Sequence, residues 1–537
     1  MKFFILVAVC FIVTATAVAQ NHTLIIRNGA SFSGTGKIIV KDSIKNYNPS
    51  LALNIHGTVV LSGDAQTLEI NAGGGSLLFD TLSVRGNGEK RVLGTIAVAE
   101  SLNVLAGANF DISSDTLRIG RIVESTGSFT TNENTVIEYL SNAGAEQTIL
   151  GGVFKGKIRL AGIARKRLAS DLTIDSLEHS GSGLTANHNL TVNGKAAIDT
   201  LLNVTSGSTI ALNSDSSTIQ RVANIEAGAQ ITSTNAALTI NNIDGMAGTI
   251  TGGTRQLTFV NPVTVNSGSI VAGSGDVDFR SAVTLGGAAT IISGNAADSI
   301  SFNSNLTFTS ATSSLQLTGS GIASLAVTPS ILTNSNLSLS ENSTLYYSGA
   351  DQTVLSLQYG TLGLVNSGIK QFASGEIGIR NTIVLGSGVR VDAQTNASIV
   401  NYNGTGSQII APLNYANLTL SNNHNNQLIT LGTQDTIKVS GTFINTATNY
   451  TVENTQSVFE YTGSLQQTIT PFSYYNLVLS GIGAKIVAAT QTTYGDVEQK
   501  DGTPVTVNSD VDWTIEGSLI AGQGFVNNGN ITIGSEL

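Results

Sequence analysis

Asp276-Val277-Asp278 and Asp510-Val511-Asp512 each put two carboxylates on one face of an extended segment, because successive side chains of a strand point to opposite faces. Such a pair could hold Ca²⁺ or divide acid and base work on a glycan. The plainer reading is a solvated strand face. A second constellation is basic: Lys155, Lys157 and Arg159 alternate along one strand, and Arg165, Lys166 and Arg167 follow after a turn. These six cations form the densest basic patch of the chain and a candidate contact for an acidic glycan or another anion. Their plainer reading is a charged face that discourages edge pairing. A third set, Tyr347, Tyr402, Tyr461, Tyr474 and Tyr475, would stack on sugar rings if it faced solvent, and reads first as core.

Other chemistry has no visible machinery. The five histidines, His22, His56, His179, His188 and His424, show no metal-ligand spacing and read as surface or turn residues. The one cysteine, Cys10, lies in the leader, and no Gly-x-Ser-x-Gly elbow occurs. Gly73-Gly-Gly75 reads as a turn, since no helix follows to face a phosphate. With a net charge of −10 and 12% charged residues, nucleic acid is not expected as a partner. No cofactor, metal or catalytic residue is expected, and the chain reads as a non-enzyme.

The elements that must carry these residues are strands. Segments such as Thr58-Val-Val-Leu61, Ala237-Leu-Thr-Ile240 and Leu306-Thr-Phe308 alternate apolar and polar residues between Gly, Asn, Asp and Ser turns. No stretch has the 3.6-residue period of an amphipathic helix. Met1-Lys2, apolar Phe3 to Val13 and Ala17-Val-Ala19 read as a signal peptide over residues 1–19, giving a secreted or cell-surface chain. No later run approaches the roughly 20 apolar residues of a membrane-spanning helix. Trp513 is the only Trp and no linker breaks the chain, which argues against an array of sandwich domains. The expectation is an all-β, single-stranded, right-handed parallel β-helix (β-solenoid) without significant helix. At about 20–30 residues and about 4.8 Å per rung, it would be a rod on the order of 80–120 Å long.

Repetition supports that reading. Tyr461-Thr-Gly463, Gln467, Tyr474, Leu477-Val-Leu479 and Lys485 form a skeleton with partial copies around Gln66, Gln147, Gln352 and Gln408. The last three glutamines are 56 and 59 residues apart, two or three rungs each. Residues 20–47 would hold an N-terminal cap and first strands, and 48–537 a continuous solenoid, clear over 56–170 and 340–490 and degenerate over 196–340. Asn530-Ile-Thr-Ile-Gly-Ser-Glu-Leu537 stops in mid-pattern, pointing either to association through the ends or to a fragment.

The wording Tyr-x-Gly, Gln, then an aromatic and Leu-x-Leu, with Thr436–Phe443 and Ser101–Phe110 as following rungs, resembles repeats of β-solenoid surface or adhesin-like proteins of the Bacteroidetes and related bacteria. The resemblance covers about half the chain. It implies a β-solenoid at the cell surface and carries over no catalytic residue. β-Helix pectinase-like enzymes show adjacent Asp pairs, whereas this sequence has His56-Gly57 and no Asp-Asp. The expected function is a structural, adhesin-like protein making multivalent contacts with polysaccharide or neighbouring cells. A polysaccharide-active lyase or glycoside hydrolase and a self-assembling filament subunit remain as alternatives.

Overall fold

The computed structural model describes residues 17–19, 23–26, 36–47, 53–70, 76–113, 115–214, 216–294, 298–432, 435–453 and 456–534. Nearly all of the leader, with Cys10, His22, the Gly73–Gly75 turn and the last three residues lie outside this set. The chain is all-β, with parallel strands stacked into a β-solenoid. The one helical element among the described residues is the 3₁₀ turn Asn334–Asn336. Two compact units divide it, Met1–Gly275 and Asp276–Leu537.

In the first unit, Leu53–Leu61, Leu77–Val84 and Ile96–Val104 pair in parallel, with Val59 opposite Leu82 and Leu82 opposite Leu102. All three of these side chains are fully buried, and each contributes about 1.5–3 kcal/mol by leaving water. The alternation places every second residue inward, so one column of aliphatics grows coil by coil. These long strands turn a corner through bulges, as where His56 and Gly57 are inserted between Ile55 and Thr58. Backbone strands at Ala17–Ala19 and Lys37–Val40 are parallel to one another and lead into this stack.

The second unit shows a three-sided coil. Asn476–Leu479, Lys485–Val487 and Gln491–Thr493 form successive sides, and Val497–Gln499 returns to the first. Leu477 pairs with Val497, Lys485 with Val505 and Gln491 with Trp513, so one coil takes about 20 residues. The stretch 196–340, where the repeat wording fades, is built of the same rungs within each unit. Ala196–Val204 pairs with Ser216–Ile225 in the first, and Ser299–Phe302 with Ile322–Leu325 in the second.

Candidate functional site

The recurrent glutamine is a clamp. In each copy its side chain is buried, and its Oε1 accepts from a turn N–H: Gly63 at 2.9 Å, Ser141 at 3.2 Å, Gly349 at 2.7 Å, Gly404 at 3.2 Å and Gly463 at 2.7 Å. Its Nε2 donates to a carbonyl 26 to 29 residues earlier: Val40, Ile119, Leu325, Ile379 and Val439. The amide therefore satisfies two buried backbone groups that would each cost about 1–3 kcal/mol unpaired. One coil above the glutamine stands a lysine in four copies: Gln66 under Lys90, Gln147 under Lys166, Gln352 under Lys370 and Gln467 under Lys485. All four lysines are fully buried. Lys485 Nζ donates to Gly463 O at 3.0 Å and Gly483 O at 2.7 Å, Lys166 to Ala164 O at 3.1 Å, and Lys370 to Gly349 O and Ala350 O. Burial lowers all four ammonium pKa values, Lys166 and Lys485 to about 8.

The spacing of the copies has a structural meaning. Lys370 and Val391 stack in turn over Gln352, Ile429 and Val452 over Gln408, and Lys485 and Val505 over Gln467. Each set begins a separate three- or four-stranded sheet. Gln408 does not continue the Gln352 column, because Ile409 pairs with Thr382 and Tyr415 with Ala393, so the 56-residue interval falls short of three full coils and successive glutamines lie on different sides of the coil.

Four of the five tyrosines considered for sugar stacking are core. Tyr347 and Tyr359 meet hydroxyl to hydroxyl at 2.8 Å, Tyr402 and Tyr415 at 3.1 Å, and Tyr461 and Tyr474 at 2.8 Å. In each pair one hydroxyl accepts an N–H and the other donates to the carbonyl of the same residue, Leu355, Ala411 or Thr470. Burial pushes Tyr347, Tyr402 and Tyr461 up to about 12. In the Gln147 copy, Tyr139 accepts from Leu150 N at 3.2 Å, and Phe154 stands where the second tyrosine would be. Tyr475 alone points outward.

The six-residue basic patch does not survive as one surface. Lys166 is inside the clamp, because strand alternation turns it inward between exposed Arg165 and Arg167. Lys157 and Arg159 do face outward with Lys155, but into an ion-pair ladder. Arg118, Glu138, Arg159 and Glu178 stand at four successive levels. Arg118 Nε lies 2.7 Å from Glu138, Arg159 pairs with both Glu138 and Glu178, and Lys157 Nζ lies 2.6 Å from Glu178. Burial raises the Glu138 carboxyl, but the bonds and charges of Arg118 and Arg159 outweigh it and hold the group below its ordinary value. Arg167 lies 3.6 Å from Glu146, both well exposed. Lys155 and Arg165 are exposed and form no ion pair among the described residues.

Three of the four Asp-x-Asp carboxylates are engaged across coils. Asp276 accepts from Ser299 N and Oγ at 3.1 and 2.7 Å, while Asp278 accepts from Asn303 at 2.6 Å and pairs with Arg280 at 3.0 Å. Asp512 accepts from Asn530 at 2.9 Å. The surface reading of the histidines fails for two of them. His179 is buried against Thr200 at 3.0 Å, and its pKa falls to about 4 through burial and the Lys166 charge. His424 is fully buried, bonded to Gly406 O and edge-on to Tyr450. Exposed His56 meets Asp80 at 3.3 Å, and the same carboxylate caps Gly57 N at 2.9 Å, so this couple holds the bulge. No group of three metal-ligating side chains occurs among the described residues. A shallow, polar cavity of about 380 Å³ is lined by Asn334, Ser356, Leu357, Gln358 and Glu376.

No family model matches this chain, and no curated protein or solved structure is significantly similar to it. Its chemistry rests on its own geometry. Sequence reading missed Glu138 and Glu178 as neutralisers, and Tyr494 as the neighbour of Tyr475. Residues of adjacent coils are about 20 apart, and only a known register tells which pair meets.

Proposed function

We propose that this chain is an exported structural protein of the adhesin type, a repetitive solenoid that offers weak, multivalent contacts to glycans or neighbouring cells. The observation that carries the reading is the use of the recurrent glutamines, lysines and paired tyrosines. Every copy directs its hydrogen bonds inward, into coil-to-coil clamps, so repetition maintains a scaffold and leaves the outward positions free to vary. The apolar leader with Ala17-Val-Ala19 supports export. Many weak contacts on a rigid repeat act together, since linked sites bind at high effective concentration.

The test is retention of beads coated with the purified chain on polysaccharide films and on cells. Retention should rise steeply with coating density. No retention at any density would refute an adhesive role. Depolymerisation of a polysaccharide that disappears when Asp276, Asp278, Asp510 and Asp512 are changed to Asn would replace it with an enzymatic one.

A further inference from the structure

We propose that one outward corner of the second unit, built on Tyr475, Tyr494 and Glu516, binds a neutral polysaccharide chain; this rests on the adhesive reading above and gives it a site. Tyr474 bridges to Thr493, and Thr493 pairs with Ile515, all three pointing inward. The residues that follow them, Tyr475, Tyr494 and Glu516, therefore stand at three successive levels of the same corner. Tyr494 is 41% exposed, Glu516 is exposed and Tyr475 is half-buried.

Beside this row the chain carries no side chains at two levels. Gly495 follows Tyr494, and Gly517 follows Glu516. A Cβ on Gly495 would lie 2.9 Å from Tyr475 Cδ1 and 2.5 Å from Asn476 Oδ1, so the Tyr475 ring leans over that glycine. A Cβ on Gly517 would lie 2.6 Å from Asp496 Oδ1. Beyond the glycines a second row is held by backbone bonds: Asp496 N donates to Asn476 Oδ1 at 2.9 Å, and Ser518 N donates to Asp496 Oδ1 at 2.8 Å. The result is an outward strip with two tyrosines and a carboxylate on one side, and an amide, a carboxylate and a hydroxyl on the other, where buried Gly495 and the close approach of Gly517 to the Gly495 backbone let successive coils pack tightly. The strip is rigid, because buried Trp513 donates from Nε1 to Thr493 Oγ1 at 3.1 Å directly beneath.

Aromatic faces receive the apolar C–H faces of pyranose rings, and carboxylate and amide oxygens accept from sugar hydroxyls. Charge selects among glycans. None of these lining residues is cationic, and residues 276–537 carry 7 basic against 17 acidic side chains. An anionic chain is repelled, and a neutral one is not.

The probes are laminarin and galactomannan as neutral chains and heparin as the anionic one, with affinity electrophoresis of the full chain as the measurement. Wild type should be retarded by a neutral polymer and not by heparin. Tyr494→Ala and Tyr475→Ala should each weaken binding roughly 5- to 30-fold, the loss expected of a contact worth 1–2 kcal/mol. Tyr346→Ala, at an outward tyrosine within the strand Thr344–Tyr347, should bind as wild type, and unchanged melting of Tyr494→Ala shows that the fold is intact. Wild-type affinity in both corner variants overturns the site while leaving an adhesive role standing. Failure of wild type to bind any neutral polymer, or binding to heparin that survives both substitutions, overturns the site as well, and the first of these also removes its foundation.

Discussion

Each unit is a stack of parallel β-coils, and each is held together differently. Residues 1–275 contain 19 basic and 19 acidic side chains, whereas residues 276–537 contain 7 and 17, so the whole formal charge of −10 belongs to the second unit. In the first unit, opposite charges alternate up the outer face, Arg118 under Glu138 under Arg159 under Glu178. In the second, cohesion is internal: ten of the twelve tyrosines lie there, six of them in three buried hydroxyl pairs. A parallel stack puts like residue over like, so an outer row of charge is stable only if its sign alternates. Inward hydrogen-bonded pairs escape that constraint and leave the outer face free to be acidic.

The largest test of this contrast is truncation inside a tyrosine pair. Tyr461→Ala should destabilise its coils by about 3–5 kcal/mol, as removal of a large buried ring does. Tyr461→Phe, which leaves Thr470 N and the Tyr474 hydroxyl short of a partner, should cost about 1–3 kcal/mol. Native-state hydrogen exchange would localise both losses to the second unit. Protection spreading evenly over both units would show that the stack melts as one body and that the contrast is without energetic meaning.

A smaller effect is expected from the ladder. Glu138→Gln removes the carboxylate between Arg118 and Arg159, whose side chains are 46% and 41% exposed, so about 1 kcal/mol or less should be lost per pair. Screening should shrink the difference in 1 M NaCl, where the Debye length is about 3 Å, while the tyrosine variants keep theirs. A Glu138→Gln penalty unaffected by salt would mean that packing, not charge, holds the first unit.

The finest probe is pH, read by proteolysis mapped to peptides. His179, neutral in the fold down to about pH 4, should weaken the first unit as pH falls from 6.5 toward 4, because the unfolded chain takes the proton first. On the alkaline side, the folded lysines lose their protons more readily than unfolded ones. The penalty of their burial is full below pH 8 and relieved between about 8 and 10.5, so stability there should rise. Above pH 10 the sign reverses: unfolded tyrosines ionise while Tyr347, Tyr402 and Tyr461 resist to about 12, and the second unit should fail first. Alkaline cleavage beginning in the first unit would contradict this assignment.

Period-2 alternation and turn residues made the coil legible without coordinates, since a strand buried on one face must alternate whatever stands opposite. The motif spacing was legible as a unit of several rungs. Its cause was not, because the bond from Gln467 Nε2 to Val439 O spans 28 residues. The candidate site was legible only in part. Alternation alone should have turned Lys166 inward between Arg165 and Arg167, but a buried lysine is uncommon enough that the patch reads as six surface cations.

Composition and periodicity by themselves determined an all-β repeat whose glutamines, leucines and glycines serve the rung. Tertiary structure decided which side chains share a level: that Glu138 stands between two arginines, that Tyr461 finds Tyr474, and that Tyr494 stands beside Tyr475. The physical reason is that a strand's own residues fix only inward or outward. Neighbours across coils depend on register, set by the length of every turn between them, and a single inserted residue would exchange one partner for another.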